Sequence, residues 1–464
     1  METKRNQAVP TLKLSHIVLF GLAYMTPMIV FGIYGLLAET THGLVSTAYI
    51  VALAAMLFTA YSYGKMTKAF PIAGSAYTYT RKSINPYVGF MIGWAVLLDY
   101  LFLPMVIWLI GAVYLHTAFP SIPLWAFVLA FIFITTVINI IGLKAAASVN
   151  TLMMIFQLLV VGIFISLSII YLIKGSSPFA LFSFNPFLNE HLTFSFVAAG
   201  ASIACYSFLG FDAVTTLSEE TINPEKTMPK AIFLITLIGG IIFIGASYFL
   251  QLVHPDYTSF QNIDSAAFEI AVQIGGNLFS SIFLAGLIIA QFASGLSAQT
   301  SGARLLFAMG RDGVLPAKIF GYLHRKSKTP LLNILFIGGI SLLAVKLDVS
   351  TSTSFINFGA FLTFIFVNLS VIFHYYFTLK NEKKNRFLLY FLIPAIGAVL
   401  DFYLFINLDK HALVLGIIWT AIGLVYLTFL TKGFKLSPPE MDFDEEEITK
   451  SSSFAHQKAA EKTL

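Results

Sequence analysis

Twelve apolar stretches follow one another through this chain, most of them about as long as the twenty residues a helix needs to cross hydrocarbon. They fall near residues 14–37, 44–68, 87–115, 123–142, 148–173, 194–216, 231–253, 277–308, 331–347, 354–377, 387–407 and 412–431. Backbone N–H and C=O groups in lipid must be satisfied within the protein, so such stretches have to fold as helices. Composition excludes the soluble alternative. Charged residues make up 11% and hydrophobic residues 57% of the 464, and the mean hydropathy is +0.82, whereas a soluble domain carries about 25% charged residues. The expectation is an all-α polytopic protein with twelve transmembrane helices and the lipid bilayer as its solvent.

Lysine and arginine orient it. With the N-terminus inside, 25 of the 28 basic side chains fall on inner segments, and the outer loops keep only Lys174, Lys346 and Lys410. This positive-inside asymmetry predicts a multi-pass protein of the cell membrane with both termini cytoplasmic. The net charge of +5 is then a topology signal, and no nucleic acid partner is expected. Residues 1–13 read as a short cytoplasmic N-terminus with no cleavable signal. Residues 432–464, with Pro438-Pro439, an acidic patch from Asp442 to Glu447 and a Ser/Lys/Ala stretch, read as a disordered cytoplasmic tail. Cys205 is the lone cysteine, so no disulfide and no thiolate metal site is expected. No cofactor is implied.

The informative features are irregularities inside two spans. The first span carries Tyr24-Met25-Thr26-Pro27 at its middle, where proline removes a helical hydrogen bond and clashes with the preceding turn. The sixth carries Tyr206-Ser207-Phe208-Leu209-Gly210-Phe211-Asp212, in which glycine weakens the helix beside an ionisable residue. Pro27 alone would be an ordinary kink. Paired with a second interruption five spans later, it points to a transporter built from inverted repeats with its site at the breaks. The units are residues 14–173 and 194–377, and 387–431 adds helices eleven and twelve.

At these residues the sequence resembles the amino acid–polyamine–organocation permease superfamily. The motifs are Phe208-Leu209-Gly210-Phe211-Asp212 with Glu219-Glu220-Thr221, Asn223-Pro224 and Met228-Pro229-Lys230-Ala231-Ile232; Ala303-Arg304 with Met309-Gly310-Arg311-Asp312-Gly313; and Phe70-Pro71-Ile72-Ala73-Gly74-Ser75-Ala76-Tyr77. Within the superfamily, the run to Tyr79, the segment Gly93-Trp94 to Phe102 and Leu217 to Thr221 resemble bacterial putrescine importers. The resemblance implies a LeuT-like fold of five plus five inverted helices and a secondary transporter working by alternating access. Two departures bear on substrate. Many members have a small glycine-rich break in helix one that cradles an α-carboxylate; Tyr24 to Pro27 is bulkier and lacks one donor. Some members carry a proton on a lysine of helix five; the matching position here is Gln157, whose amide does not titrate near neutral pH.

Charge inside the membrane is therefore left to acids. Asp99, Asp212 and Asp401 fall within or near apolar runs, Glu39 sits at the outer end of the first span, and no lysine or arginine lies deep in any span. A carboxylate at that depth costs about 2.5–3.5 kcal/mol on insertion scales and marks function by default. Acids without fixed cations suit a cationic substrate, whose ammonium also gains from the aromatic faces of Tyr24, Tyr100, Tyr206, Phe208 and Phe211. The predicted substrate site comprises Tyr24, Met25, Thr26, Pro27, Asp99, Tyr100, Tyr206, Ser207, Phe208, Gly210, Phe211 and Asp212. Glu219 and Glu220, near the cytoplasmic end of helix six, are expected to pair with basic loop residues as an inner gate. Asp401 lies outside the repeats and is expected to be structural or to face an oligomer surface.

The reading is an importer of a small cationic amine or amino acid, putrescine or another polyamine first, with a proton as co-substrate, acting as monomer or homodimer. The alternatives are a neutral or cationic amino acid permease or exchanger, and a nutrient sensor retaining the fold. An enzyme is not expected: the nine histidines are scattered, and no metal-spaced cluster or nucleophile motif occurs. No channel filter loop stands out.

Overall fold

The computed structural model describes residues 11–71, 75–141, 147–190, 192–218, 220–324, 329–379 and 385–440, with side chains omitted for 147–151. Ile72 to Gly74 of the third motif, Lys144, Glu219, the basic block from Arg325 to Lys328, the stretch from Lys380 to Lys384 and the acidic patch from Asp442 to Glu447 lie outside it.

The described residues are helical throughout apart from loops and one isolated bridge. Among the described residues eleven helices are long and apolar enough to cross a membrane: α1 (Leu14–Gly32), α2 (Val45–Ala69), α3 (Pro86–Ala118), α4 (Leu124–Ile141), α5 (Leu152–Ile173), α6 (Phe194–Leu217), α7 (Pro224–Val253), α8 (Ile263–Arg311), α10 (Val349–Thr378), α11 (Leu388–Ile406) and α12 (Lys410–Leu430). The shorter α9 (Leu331–Val345) completes the predicted twelve; its last turn, Leu342–Val345, tightens into a 3₁₀ helix. The chain is a multi-pass membrane protein.

Local chemistry sets several starts. Asn85 accepts from the Tyr87 N–H at 2.8 Å and Pro86 opens α3. Asp348 takes the Thr351 N–H at 2.7 Å, and Asp409 takes those of His411 and Ala412 at 2.9 and 3.2 Å. Each cap satisfies donors that a helix start otherwise leaves open. Asn223 in the left-handed region, followed by Pro224, starts α7 seven residues before the predicted edge at 231. The predicted start of span eight at 277 marks only a bend. Gly276, at φ 61°, separates an outer arm from the rest of α8.

α2 packs along α7, and α3 along α8 and α10. α12 is fastened to α3 by Trp94 and Trp419, which stack at 5.0 Å and exchange indole N–H bonds to each other's carbonyls at 3.0 and 2.9 Å. Two features depart from the sequence reading, which has no helix between the second and third spans and a disordered tail from residue 432. A short helix, Ser75–Ser83, joins α2 to α3 and packs against α3, α10 and the end of α6. The segment after α12 folds back over it: Arg81 donates to the carbonyls of Pro438 and Pro439 at 3.2 and 3.3 Å, and the Tyr87 hydroxyl reaches Phe434 and Leu436 carbonyls.

Candidate functional site

α1 is broken where Pro27 lies. Its inner arm ends at Met25, Thr26 swings to φ 57°, and the helix resumes at Ile29 and again over Tyr34–Thr41. The Ile29 N–H donates to Thr26 O at 2.9 Å, three residues back, so the Met25 carbonyl loses its helical partner. Thr26 is held by its N–H to Leu22 O at 3.1 Å, while its hydroxyl stands a weak 3.4 Å from the carbonyls of Ala23 and Tyr24. The Met25 side chain turns away and covers Gly239 of α7.

α6 breaks at the matching depth. Its α-helical arm ends at Ala204, a 3₁₀ turn runs Cys205–Phe208, and Leu209 to Asp212 is non-helical before a second 3₁₀ turn, Ala213–Leu217. Gly210 sits at φ 101°, a conformation that side-chain-bearing residues rarely adopt. The ring of Tyr24 lies against it: a Cβ placed on Gly210 would stand 2.1 Å from Tyr24 Cδ1. The two breaks are in contact.

The acids gather around that contact. The Asp212 carboxylate lies beside the backbone of its own turn at Gly210 and Asp212, and accepts the Tyr63 hydroxyl of α2 at 3.1 Å. Asp99 lies thirteen residues into α3, about 20 Å along it. Its Oδ1 is buried with no hydrogen-bond partner. Asp99, Asp212, Tyr24 and Tyr100 interact electrostatically with one another, Tyr206 senses Asp99, and Ser301 of α8 lies near the Tyr24 hydroxyl. Tyr24, Asp99, Tyr100 and Asp212 keep partial exposure although they lie midway along their helices. Neither acid forms an ion pair among the described residues. Two partly exposed carboxylates that sense each other and the rings of Tyr24 and Tyr100, with no ion-paired cation among the described residues, can bind ammonium groups.

The remaining predicted residues are buried around these acids or stand apart from them. Ser207 is buried and hydrogen-bonded to the Tyr49 hydroxyl at 2.9 Å. Phe208 meets Phe243 edge-on at 5.3 Å, and Phe211 packs on Tyr63 and Phe364 at 5.5 Å each; both are fully buried. They brace the break. The Glu220 side chain is exposed and makes no ion pair among the described residues; its carbonyl accepts the N–H groups of Thr11 and Leu12 at 3.0 Å. Gln157 is buried, with its Oε1 unpartnered. Asp401 has no exposed surface, so it faces no oligomer surface. Its partners reach it from α2 and α10, which turn that side of α11 inward. Sequence reasoning missed Tyr63, 149 residues from its partner, and Ser301. No group of three or more metal-ligating side chains is gathered among the described residues.

A family model for amino acid permeases matches residues 16–431. The chain belongs to the amino acid permease family. It is 44% identical over 442 residues to the low-affinity putrescine importer PlaP of Escherichia coli K12, covering 95% of this chain and 98% of that protein. It is 27% identical to the branched-chain amino acid permease BcaP of Bacillus subtilis, covering 91% and 93%. Among solved structures, an outward-open Na⁺-coupled sialic acid symporter shares the fold with a TM-score of 0.54 at 13% identity, over 88% of this chain and 91% of that one. This permease is a transporter, and its relatives are transporters rather than enzymes.

Proposed function

We propose that this permease imports a small cationic amine, putrescine or a similar diamine, by alternating access in symport with protons. The observation that carries the reading is the pair Asp99 and Asp212, two acids that sense each other beside the same tyrosines, with no lysine or arginine paired to either among the described residues. An ammonium desolvated there regains its stabilisation from carboxylate and ring faces. A diamine offers two such groups and no carboxylate, which fits an α1 break short of backbone donors. The likeness to a putrescine importer supports the same substrate.

In the proposed cycle the amine settles between Tyr24, Asp99 and Asp212, and the outer arms of α1 and α6 close over it. The two five-helix units, 14–173 and 194–377, then rock to open the inner face. A carboxyl in this space can take up a proton from the outer face and release it on the inner face in the same cycle as the amine. The basic side chains on the inner segments support a cell-membrane orientation with both termini cytoplasmic.

Uptake of radiolabelled putrescine and of amino acids into proteoliposomes, with and without an inward proton gradient, tests the proposal. Putrescine accumulation that collapses with the gradient is expected. Accumulation of an amino acid without any diamine would replace it by the second reading, an amino acid permease or exchanger, which the likeness to BcaP favours.

A further inference from the structure

Asp401 is completely buried in α11, in a helix that otherwise turns Val399, Phe402 and Ile406 outward. Its Oδ2 accepts the Thr59 hydroxyl of α2 at 2.7 Å and the Asn368 amide of α10 at 3.0 Å, while its Oδ1 has no partner. The Asn368 amide also donates to Thr59 Oγ1 at 3.0 Å, and its Oδ1 accepts from Ser62 Oγ at 2.5 Å. Gly397, one turn before Asp401, makes the approach: a Cβ there would stand 2.6 Å from Asn368 Oδ1. Three helices are thus clasped through one carboxyl group.

The clasp lies directly behind the candidate site. Thr59 and Ser62 fix α2 on either side of one turn, and the next residue is Tyr63, whose hydroxyl donates to Asp212. Phe364, one turn before Asn368 on α10, packs on the rings of Tyr63 and Phe211 at 6.2 and 5.5 Å. The Tyr63 hydroxyl stands at the end of a long lever. A 10° rotation of α2 about its axis would move it by about 1.5 Å, enough to break a 3.1 Å hydrogen bond.

We infer that Asp401 is a positioning residue for transport: through Thr59, Ser62 and Asn368 it sets the rotation of α2, and so holds the Tyr63 hydroxyl on Asp212. This rests on the reading of Asp212 as an amine contact. A carboxyl retained in an apolar interior costs free energy that packing alone would not require, and fixing a hydroxyl seated on another helix gives that cost a use.

The test is a double-mutant cycle read as the KM and kcat of putrescine uptake. Asp401→Ala and Tyr63→Phe should each raise KM about 3- to 10-fold, with kcat changed less than about twofold. Asp401→Asn, which keeps the accepting oxygen, should stay within about twofold of the parent. In the Tyr63→Phe background Asp401→Ala should add less than about twofold, because its route to the substrate is already cut. Equal fold-changes from Asp401→Ala with and without the Tyr63 hydroxyl would overturn the inference. Where Asp401→Ala fails to assemble, Thr59→Val carries the same cycle with the same expectations. If Asp212→Asn leaves KM unchanged, the site reading itself fails, whatever the cycle gives.

Discussion

Tyr24 in α1 closes so tightly on Gly210 in α6 that a single added methyl group would stand 2.1 Å from the ring. Tyr24 sits at the end of one interrupted helix and Gly210 within the other, so this contact joins the two breaks. Gly210→Ala introduces both a clash and a side chain at φ 101°. The backbone component alone costs about 1–3 kcal/mol, and the ring must move as well. Thermal unfolding in detergent should show a lower midpoint, and uptake should fall at least tenfold. An alanine variant with parental stability and uptake would show that the close approach is dispensable.

Thr26→Gly should behave in the opposite way. Thr26 adopts φ 57° in the α1 break, and its hydroxyl makes only contacts of 3.4 Å. Glycine adopts that region without the steric cost, which is about 1–2 kcal/mol for other residues. The variant is expected to keep putrescine uptake within about threefold, with an unfolding midpoint equal to or above the parent. A large loss of uptake at unchanged stability would assign the hydroxyl a direct part in transport.

The legible and illegible parts of this fold divide on a physical line. Hydrocarbon imposes length and apolarity on each crossing helix, so the spans can be read from sequence, and so can interruptions at Pro27 and Gly210 that offend helix geometry. The helix Ser75–Ser83 is polar and one span's length is not required of it, so nothing in its composition announces it. Which way α11 turns Asp401 is hidden because its flanks are apolar all round; only the donors on α2 and α10 reveal the buried side. Tyr63 is hidden for a related reason. Its meaning lies in a partner on another helix, and twenty tyrosines offer no sign of which one reaches an acid.

The fold-back after α12 makes a third expectation. Arg81 is its main tie, with two bonds to proline carbonyls and Glu440 at 4.0 Å. Arg81→Ala should free the segment that carries Lys432 and Lys435. Limited trypsin digestion should then cut there several times faster than in the parent. Global stability should change by no more than about 1 kcal/mol, since a 4.0 Å ion pair to the exposed Glu440 and loop contacts contribute little. Unchanged cleavage would mean that the Tyr87 contacts with Phe434 and Leu436 hold the segment by themselves.

The two acids make the sharpest prediction, because they should divide a diamine between them. If each ammonium of putrescine meets one carboxylate, a monoamine of equal length forfeits one charged contact and should bind at least tenfold more weakly. Removing one partner of a desolvated charge pair costs about 2–5 kcal/mol, which corresponds to about a 30-fold or greater rise in KM. Asp99→Asn and Asp212→Asn should each produce a rise of that size for putrescine. The decisive quantity is the ratio of KM values for butylamine and putrescine. It should fall towards one in Asp99→Asn, because the second ammonium then has no carboxylate left to meet. Asp212→Asn should behave alike and also weaken the hold of the Tyr63 hydroxyl, which the carboxylate accepts at 3.1 Å. A butylamine-to-putrescine ratio unchanged in both variants would show that the acids do not share the substrate, and the diamine reading would then have to rest on some other pair of groups.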